Sequence, residues 1–471
     1  MHQPDVFLFA DSGMASYING IVFMHTEVDR MSKSKKRGLR IGNYLITPLG
    51  IGSIIAILAV IVAAVVLSLG GTDVQKTPVA TSSPTPEVTA TPEATATPEP
   101  TATPEPTATP EPTATPEPEG RSATIRVLGE IMMELDLLKA GYNAEDQTFD
   151  FTEMFSEISD VTGNADYTIA DVEGTLGGTV DFSAEESKMI TPVALLDALS
   201  AAGVDMLNLA NDHALDGGFD ELKAAMGNIT AAGMDYVGAA ATAEEKAVPV
   251  IKEINGIKVG FAAYTESVKA KEISSDAKSF GLNMIANSNA IADIQALNEA
   301  GAEVIIAIVN WGEMYTHTPN ETQQKIAQLL CASGADVIIG YNPHAVQPAA
   351  WLETSSEAGT HRTLCLSAPG AFLSNQRKPG TDCGAVFEFT LAEQEDGSIA
   401  VESPKYIPTY VLRYQDANGL YQYRTVSIGR YTGEGAELAE NMTAEDVEYM
   451  KKLLTAMEGV LGTTAVEMTI E

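Results

Sequence analysis

The sequence has few basic residues, and this scarcity limits the partners that the protein can bind. Its 471 residues include 28 lysine and arginine side chains against 64 aspartate and glutamate side chains, which gives a formal net charge of −36. Nucleic acids and anionic membrane surfaces are bound through their phosphate groups, and phosphate binding depends on lysine and arginine. The composition therefore argues against a nucleic-acid partner. Repulsion between like charges instead keeps such a chain soluble.

Cysteine is also scarce, since the chain has three, Cys331, Cys365 and Cys383. Their number is odd and their spacing is unlike that of a zinc site. Cys331 lies on the apolar face of a predicted helix, so we expect it in the core. A disulfide between Cys365 and Cys383 is compatible with an extracellular location, but only their closeness in sequence supports it, and the pairing stays open.

One long run of residues carries no charge. The 19 residues from Ile51 to Leu69 would span about 28 Å as a helix, close to the hydrocarbon thickness of a bilayer. The basic segment KSKKRGLR (33–40) precedes the run and no basic cluster follows it, which predicts a cytoplasmic N-terminus. A cleaved signal peptide is the alternative, but the run is longer than a typical signal core and lacks a clear cleavage site.

A spacer separates this run from the rest of the chain. Residues 77–119 are almost entirely Thr, Pro, Glu and Ala, with TATPEP repeating, and have too few large apolar side chains for a core. The basic stretch after Met31 would also suit a start of translation, so residues 1–30 are a candidate mis-called start. We expect a single-pass protein of the cell membrane with four regions: a cytoplasmic segment (1–43), an anchor (44–70), an extracellular linker (71–120) and a folded domain (121–471).

A helix followed by a glycine and a short apolar strand occurs four times in the predicted domain. The units end near residues 210, 240, 310 and 342. Glycine just past a helix end supplies a left-handed cap, and uninterrupted apolar runs are typical of buried parallel strands. The alternation predicts an α/β fold. Other predicted elements are a first strand (123–133), a hairpin turning at Asn255-Gly256, a helix starting at Thr318-Pro319 with a capping box to Glu321, and a last helix (443–462) capped by Thr443 and Asp446.

Polar side chains follow five of the apolar runs. Ligands of open α/β sheets bind beyond the C-terminal ends of the strands, and carboxylates, amides and imidazoles are ligands of hard and borderline divalent metals. Any one of these residues could be an ordinary loop residue, so the predicted site depends on their convergence at one sheet edge. The groups, in chain order, are Glu130; Asp171 and Glu173; Asn211, Asp212 and His213; Asn310 and Glu313; Asn342 and His344.

Three of these segments resemble the bacterial capsule synthesis protein CapA family, which is linked to production of poly-γ-glutamate capsule. They are DVEGTL, LANDHALDGG and the stretch from NWGEMYTHTP to GADVIIGYNPHAVQP. The resemblance extends from about Thr124 to about Gln376, in the family's order and spacing. It implies a calcineurin-like metallophosphatase fold, which is a layered α/β sandwich with a metal site at the strand ends.

The resemblance also implies roles for individual residues. His213 lies where such phosphatases place a histidine beside the metal, as a general acid toward the leaving oxygen; the alternative is that it only caps the following turn. The implied metal ligands are Glu130, Asp171, Glu173, Asn211, Asp212, Asn310, Asn342 and His344.

Several positions depart from the family's pattern. The family's Asn-Asn-His, His-Trp-Gly and Gly-His-His-Pro-His are here Asn211-Asp212-His213, Asn310-Trp311-Gly312 and Gly340-Tyr341-Asn342-Pro343-His344. At residues 310, 341 and 342 oxygen donors thus replace nitrogen donors, and Asp212 adds a negative charge, which suits Mn²⁺, Mg²⁺ or Ca²⁺ better than Zn²⁺. A site that no longer binds metal would show the same substitutions, so both interpretations stay open.

The resemblance implies a membrane-anchored extracellular protein involved in the synthesis or anchoring of a capsule polymer. Its implied partners are the anionic polymer or membrane-bound subunits of the polymer synthetase. A metal-dependent hydrolase or transferase is one hypothesis. The alternatives are a non-catalytic scaffold for the synthetase and a secreted metal-dependent phosphoesterase unrelated to capsule. Whether the site is catalytic stays open at this point.

Overall fold

The structure is a computed structural model that describes residues 39–41, 44–46, 120–183, 188–285, 287–356, 359–462 and 467–468. The chain divides into two compact units, Met1–Pro110 and Glu111–Glu471. The described part of the first unit is an antiparallel pair of short strands, β1 (Leu39–Ile41) and β2 (Tyr44–Ile46). The predicted anchor (44–70) lies outside the described residues apart from Tyr44–Ile46, which form strand β2 and not part of a helix. Residues 1–30 and the repeats of the linker also lie outside the described residues. Among the residues that are described, no helix is both long and apolar enough to cross a bilayer.

The second unit alternates strands with helices along the chain. Its strands are β3 (Ser122–Met132), β4 (Tyr142–Asn143), β5 (Thr148–Phe149), β6 (Tyr167–Glu173), β7 (Thr175–Leu176), β8 (Ile190–Thr191), β9 (Met206–Asn208), β10 (Asp235–Val237), β11 (Val250–Ile254), β12 (Ile257–Thr265), β13 (Val304–Asn310), β14 (Val337–Tyr341), β15 (Val346–Ser356), β16 (Gly359–Pro369), β17 (Ala371–Leu373), β18 (Cys383–Glu393), β19 (Ile399–Gln415), β20 (Tyr421–Ser427) and β21 (Glu467–Met468). Its α-helices are α1 (Leu135–Ala140), α2 (Ser159–Thr162), α3 (Ala194–Ala201), α4 (Phe219–Ala231), α5 (Ala243–Lys246), α6 (Asn287–Glu299), α7 (Glu321–Ser333), α8 (Ile428–Thr432) and α9 (Ala444–Leu461).

Most of the strands form two mixed sheets. The first sheet has the order β10-β9-β6-β3-β18-β19-β20, with β17 beside β3 and β21 beside β19. The second sheet has the order β11-β12-β13-β14-β16-β15. Strands β10, β9, β6 and β3 are parallel to one another, and so are β12, β13, β14 and β16. The predicted α/β architecture is therefore confirmed, and both of its large sheets are mixed.

Strand β13 shows how the second sheet is covered on both faces. Successive side chains of a strand point to opposite faces. Ile306 and Ile308 belong to the large core that also contains apolar residues of the first sheet, whereas Ile305 and Val309 belong to a separate cluster with apolar residues of α6 and α7. One face of β13 thus packs toward the first sheet, and the other face packs against α6 and α7. Burial on both faces explains the uninterrupted apolar run of this strand.

The predicted local elements are largely confirmed. All four helix–glycine–strand units are present, and the glycines after their helices, Gly203, Gly233, Gly301 and Gly334, have φ between +79° and +101°. Strands β11 and β12 form the hairpin that turns at Asn255-Gly256. The last helix begins at the predicted capping box of Thr443 and Asp446. The three cysteines are free and buried, so the structure does not pair Cys365 with Cys383.

The predicted start of α7 was wrong. The helix is capped by Asn320, two residues after Thr318, and its capping box closes on Gln323. The Gln323 backbone N–H donates to Asn320 Oδ1 at 2.9 Å, and the Asn320 backbone N–H donates to Gln323 Oε1 at 2.9 Å. Asparagine is a stronger cap than threonine, and this box satisfies two backbone donors, so the helix begins here.

Gly129 has no side chain, and this allows β17 to lie close to β3 just before Glu130. A Cβ atom at this position would lie 2.3 Å from the carbonyl oxygen of Gly370 and 2.9 Å from the backbone nitrogen of Phe372. The Glu130 backbone N–H donates to the same Gly370 oxygen at 2.9 Å. Since both neighbours are backbone atoms, a side chain at residue 129 would displace β17 or Glu130.

We expect Gly129→Ala to destabilise the fold by about 1–3 kcal/mol, because it overpacks a backbone-to-backbone contact. Gly227→Ala is the matched control, since nothing lies within 4 Å of the added methyl group in α4. The control should stabilise the protein by up to about 1 kcal/mol, through helix propensity. Chemical denaturation of both variants measures the difference. Equal stability of the two variants would contradict this account of the β3–β17 contact.

Candidate metal centre

The predicted site residues come from both sheets. Glu130 lies within β3, and Asp171 and Glu173 lie within β6, whereas residues 211–213 follow β9. Asn310 ends β13, and residues 342–344 follow β14 in the second sheet. The expected convergence on one sheet edge was therefore wrong. The parallel strands of two packed sheets bring their carboxyl ends together at this point.

The first group of candidate ligands is Glu130, Glu173 and His344, whose ligand atoms all lie within 4.8 Å of one another. His344 Nδ1 is 2.8 Å from Glu130 Oε2 and 3.8 Å from Glu173 Oε1. Glu130 Oε1 accepts the backbone N–H of Asn342 at 2.6 Å. Asn342 and His344 have backbone φ angles of +93° and +51°. Residues other than glycine rarely adopt positive φ angles. The loop after β14 is thus wrapped around the Glu130 carboxylate.

The second group is Glu173, Asp212 and His213, whose ligand atoms also lie within 4.8 Å of one another. His213 Nδ1 is 2.7 Å from Asp216 Oδ2, and His213 Nε2 is 2.8 Å from Lys269 Nζ. An ammonium group can only donate and an ionised carboxylate can only accept. These two contacts therefore place the His213 proton on Nδ1 and make Nε2 the acceptor.

Asp216 is held ionised for this contact. Burial alone would raise its pKa, but the hydrogen bond to His213 and the backbone N–H of Met189 outweigh burial and lower the pKa below its usual value. The Met189 N–H donates to Asp216 Oδ2 at 3.0 Å. Asp216 thus fixes the orientation of the His213 ring.

The carboxylates of the centre are buried close together, and this raises their pKa values. Burial, followed by the negative charge of Glu130, raises the pKa of Asp171 well above its usual value. Burial also raises the pKa of Glu173 well above its usual value, against the opposing charge of His344. Burial alone would lower the pKa of His344, but the charges of Glu130 and Glu173 and the hydrogen bond to Glu130 raise it to about 9.

Four buried atoms of the predicted site have no hydrogen-bond partner among the described residues: Asp171 Oδ2, Glu173 Oε1, Asp212 Oδ1 and Asn310 Nδ2. A buried polar atom without a partner costs about 1–3 kcal/mol, and more when it is charged. Buried charges in proteins are normally paired or coordinate metals. Three unpartnered carboxylate oxygens beside an imidazole fit a hard or borderline divalent cation.

Two of the three predicted asparagine ligands, Asn211 and Asn342, contact the backbone, whereas Asn310 Oδ1 accepts the Thr265 hydroxyl at 3.1 Å. Asn211 Nδ2 donates to Val172 O at 2.9 Å, and its Oδ1 accepts the His213 N–H at 3.2 Å. Asn342 Nδ2 donates to the carbonyl oxygens of Trp311 and Gly312, at 3.0 and 2.9 Å. These contacts give both amides a structural role, and their role as metal ligands stays a prediction.

Sequence reasoning missed Lys269, which contacts two of the candidate ligands. Its Nζ lies 2.9 Å from Asp212 Oδ2 as well as 2.8 Å from His213 Nε2, and its backbone N–H donates to Asp212 O at 2.7 Å. Lys269 follows β12, which is parallel to β13. The segment TESVKAKE after this strand was a sixth strand end that could have been included by the same rule.

The pKa shifts predict how pH affects stability. A pKa raised by folding means that the folded state holds the proton more tightly than the unfolded state. The contribution of His344 is fully present below its unfolded pKa of about 6.5 and is lost as pH rises through about 9. Asp171 and Glu173, whose pKa values are also raised, act in the same direction. Metal-free protein should therefore lose thermal stability from about pH 6 to about pH 8.5.

Added Mn²⁺ competes with these protons, so the rise in the thermal midpoint that it causes should be larger at the higher pH. Differential scanning fluorimetry at both pH values, with and without Mn²⁺, measures this difference. In a metal-free His344→Gln variant, the thermal stability should depend less on pH above about pH 6.5 than it does in wild type. Metal-free protein that gains stability over this range would contradict the assignment.

Comparison with known proteins gives independent evidence of the family. The model of the bacterial capsule synthesis protein PGA_cap matches residues 124–376. The capsule biosynthesis protein CapA of Bacillus anthracis is 29% identical over 152 residues, which are 32% of this chain and 37% of that protein. The PGA biosynthesis protein CapA of Bacillus subtilis (strain 168) is 25% identical over 277 residues, which are 58% of this chain and 69% of that protein. The chain thus spans little more than a third of the first relative and about two thirds of the second.

A solved structure with a similar arrangement is the calcineurin-like phosphoesterase YfkN from Bacillus subtilis. It is 16% identical, with a TM-score of 0.36, over 72% of this chain and 99% of that chain. At this TM-score the likeness does not bear on function. The family match, in contrast, covers more than half of the chain and includes the segments that carry Glu130, Glu173, His213 and His344. The chain belongs to the bacterial capsule synthesis (PGA_cap) family, to which its sequence motifs pointed.

Proposed function

We propose that this chain is a metal-dependent hydrolase or transferase that acts at the cell surface in the synthesis or anchoring of an anionic capsule polymer. The observation that carries the proposal is the set of unpartnered, buried carboxylate oxygens on Asp171, Glu173 and Asp212. A buried carboxylate loses its solvation, which hydrogen-bond donors, a proton or a cation must replace, and these three oxygens have no hydrogen-bond donor among the described residues. The centre is therefore an energetically costly arrangement, since apolar side chains fill such positions in an ordinary core.

Glu130, Glu173 and His344 would hold the metal, because their ligand atoms lie within 4.8 Å of one another. When bound, a divalent metal supplies a Lewis acid that polarises a phosphoryl or carbonyl oxygen. Two carboxylates and one imidazole suit Mn²⁺ or Mg²⁺ better than Zn²⁺ in this oxygen-rich setting.

His213 would move the proton. Its Nδ1 proton is fixed on Asp216, so Nε2 is the nitrogen that would exchange a proton, with a reacting oxygen that takes the place of Lys269 Nζ, now 2.8 Å away. Asp216 acts through His213, as the residue that fixes the ring and stabilises its protonated form. These two roles would explain why a histidine directly follows Asp212 at the end of this strand.

The proposal also includes the type of fold, the membrane anchor and the identity of the polymer. Two mixed sheets that share a core, with the polar centre at their carboxyl ends, support a sandwich of the metallo-dependent phosphatase type. The uncharged run from Ile51 to Leu69 supports a single membrane anchor, and the Thr/Pro/Glu spacer supports a domain held away from the membrane. Poly-γ-glutamate is the proposed polymer, because both curated relatives are named for capsule or PGA biosynthesis.

A non-catalytic scaffold for the polymer synthetase is the second candidate. Lys269 contacts Asp212 and His213, two of the three ligand residues of the second group. The amide of Asn342 is also committed to backbone carbonyls. Both observations are expected of a centre whose side chains serve the fold.

Substitution of His213 separates the two candidates. In a strain whose chromosomal copy is replaced, His213→Ala should lower surface capsule at least about 100-fold if the residue is a general acid or base. His361→Ala is the matched control, since His361 lies on β16 and contacts the carbonyl oxygen of Ala335 at 2.9 Å. The control should keep normal capsule. Circular dichroism and surface immunolabelling confirm that both variants fold and are exported.

Normal capsule in the folded, exported His213→Ala variant would contradict catalysis and support the scaffold. Hydrolysis of simple phosphodiesters by the purified protein, without any change of capsule in the variant strain, would point instead to a phosphoesterase unrelated to capsule. Loss of capsule in both histidine variants would mean that the measurement reports export or stability.

A further inference from the structure

The two groups of candidate ligands share one carboxylate. Glu173 belongs to the group with Glu130 and His344 and also to the group with Asp212 and His213. A carboxylate shared in this way can bridge two cations, which is how two-metal sites with ions about 3.5–4 Å apart are built. The geometry therefore offers two adjacent positions for positive charge.

Lys269 already supplies a positive charge to the second position. Its ammonium nitrogen lies 2.9 Å from Asp212 Oδ2 and 2.8 Å from His213 Nε2. These two atoms belong to residues that would coordinate a metal in this group, and each accepts a hydrogen bond from the ammonium instead. The side chain is 41% exposed, whereas that of Asp212 is 6% exposed, so the ammonium covers a buried carboxylate from the solvent side.

The backbone holds Lys269 in this place. Its N–H donates to the carbonyl oxygen of Asp212 at 2.7 Å, and the neighbouring Glu266 N–H donates to the carbonyl oxygen of Asn310 at 2.9 Å. The loop after β12 is thus tied both to the loop that carries Asp212 and to the end of β13. A side chain anchored at its own backbone loses less freedom when it orders than a free lysine would.

At the first position, among the residues that the structure describes, Glu130 and Glu173 pair with His344 and not with a lysine or arginine. Glu173 Oε1 has no hydrogen-bond partner among the described residues. A divalent ion in the second position would have to displace the Lys269 ammonium from Asp212 and His213, whereas one in the first position would displace no ammonium.

We propose that Lys269 is the resident cation of the second position, so that this chain binds one divalent metal, at Glu130, Glu173 and His344, instead of a pair. The inference rests on the proposed metal dependence and deepens it. Lys269 is a positioning residue here: it neutralises Asp212, holds His213 Nε2 and keeps the second metal out.

Metal stoichiometry tests the proposal. Purified full-length protein is equilibrated with Mn²⁺ by dialysis, and bound metal is measured by mass spectrometry. Wild type should bind one Mn²⁺ per chain. Lys269→Met, which keeps the length of the side chain and removes its charge, should bind a second Mn²⁺ at least about tenfold more tightly than wild type does. Lys269→Arg, which keeps the charge, should bind one.

Lys246→Met is the matched control. Lys246 is 31% exposed and pairs with Asp293 at 3.1 Å, away from both ligand groups. It should bind one Mn²⁺, like wild type. Electron paramagnetic resonance supplies a second readout, because two neighbouring Mn²⁺ ions couple magnetically, and this coupled signal should appear in Lys269→Met alone.

Each outcome is decisive. Two bound Mn²⁺ ions in wild type, or one in Lys269→Met with unchanged affinity, would overturn the role of Lys269 and leave metal dependence standing. A folded wild type that binds no Mn²⁺ would overturn both the role of Lys269 and the proposed metal dependence.

Discussion

The contact between His344 and Glu130 is the interaction on which the rest of the centre depends. It joins the loop after β14 in the second sheet to β3 in the first, with side chains 4% and 0% exposed. Removing either partner would leave a buried group without its counterpart, which costs more than an exposed ion pair contributes. The left-handed backbone of Asn342 and the missing side chain at Gly129 both serve this contact. The positive φ angles in the loop after β14 and the close packing of β17 on β3 both help to enclose the Glu130 carboxylate.

The negative net charge of the chain affects how this centre would bind an anionic polymer. A net charge of −36 repels an anionic polymer unless cations lie between the two. The centre concentrates positive charge from His344 and Lys269 beside its carboxylates, and a bound metal would add more. Within the proposed function, the same cations that stabilise the buried carboxylates would also attract the substrate. Stability and recognition would then depend on one set of charges.

Local signals predicted the elements, whereas long-range pairing decided how they assemble. The hairpin at Asn255-Gly256 and the box at Thr443 could be predicted, because a few neighbouring residues fix each of them. The division into two sheets could not, since it depends on pairs such as Phe387 with Val127, which nothing near either residue encodes. Lys269 was missed for a related reason: a lysine after a strand is usually a solvated loop residue, and only the fold shows that it reaches Asp212.

The most direct test of the account is the position of a metal ion in a crystal of the protein grown with Mn²⁺. An anomalous difference map recorded near the manganese absorption edge locates the ion without reference to activity. We expect a single peak among the side chains of Glu130, Glu173 and His344, with Lys269 still in contact with Asp212. A map without a peak there, or a peak only between Asp212 and His213, would contradict it.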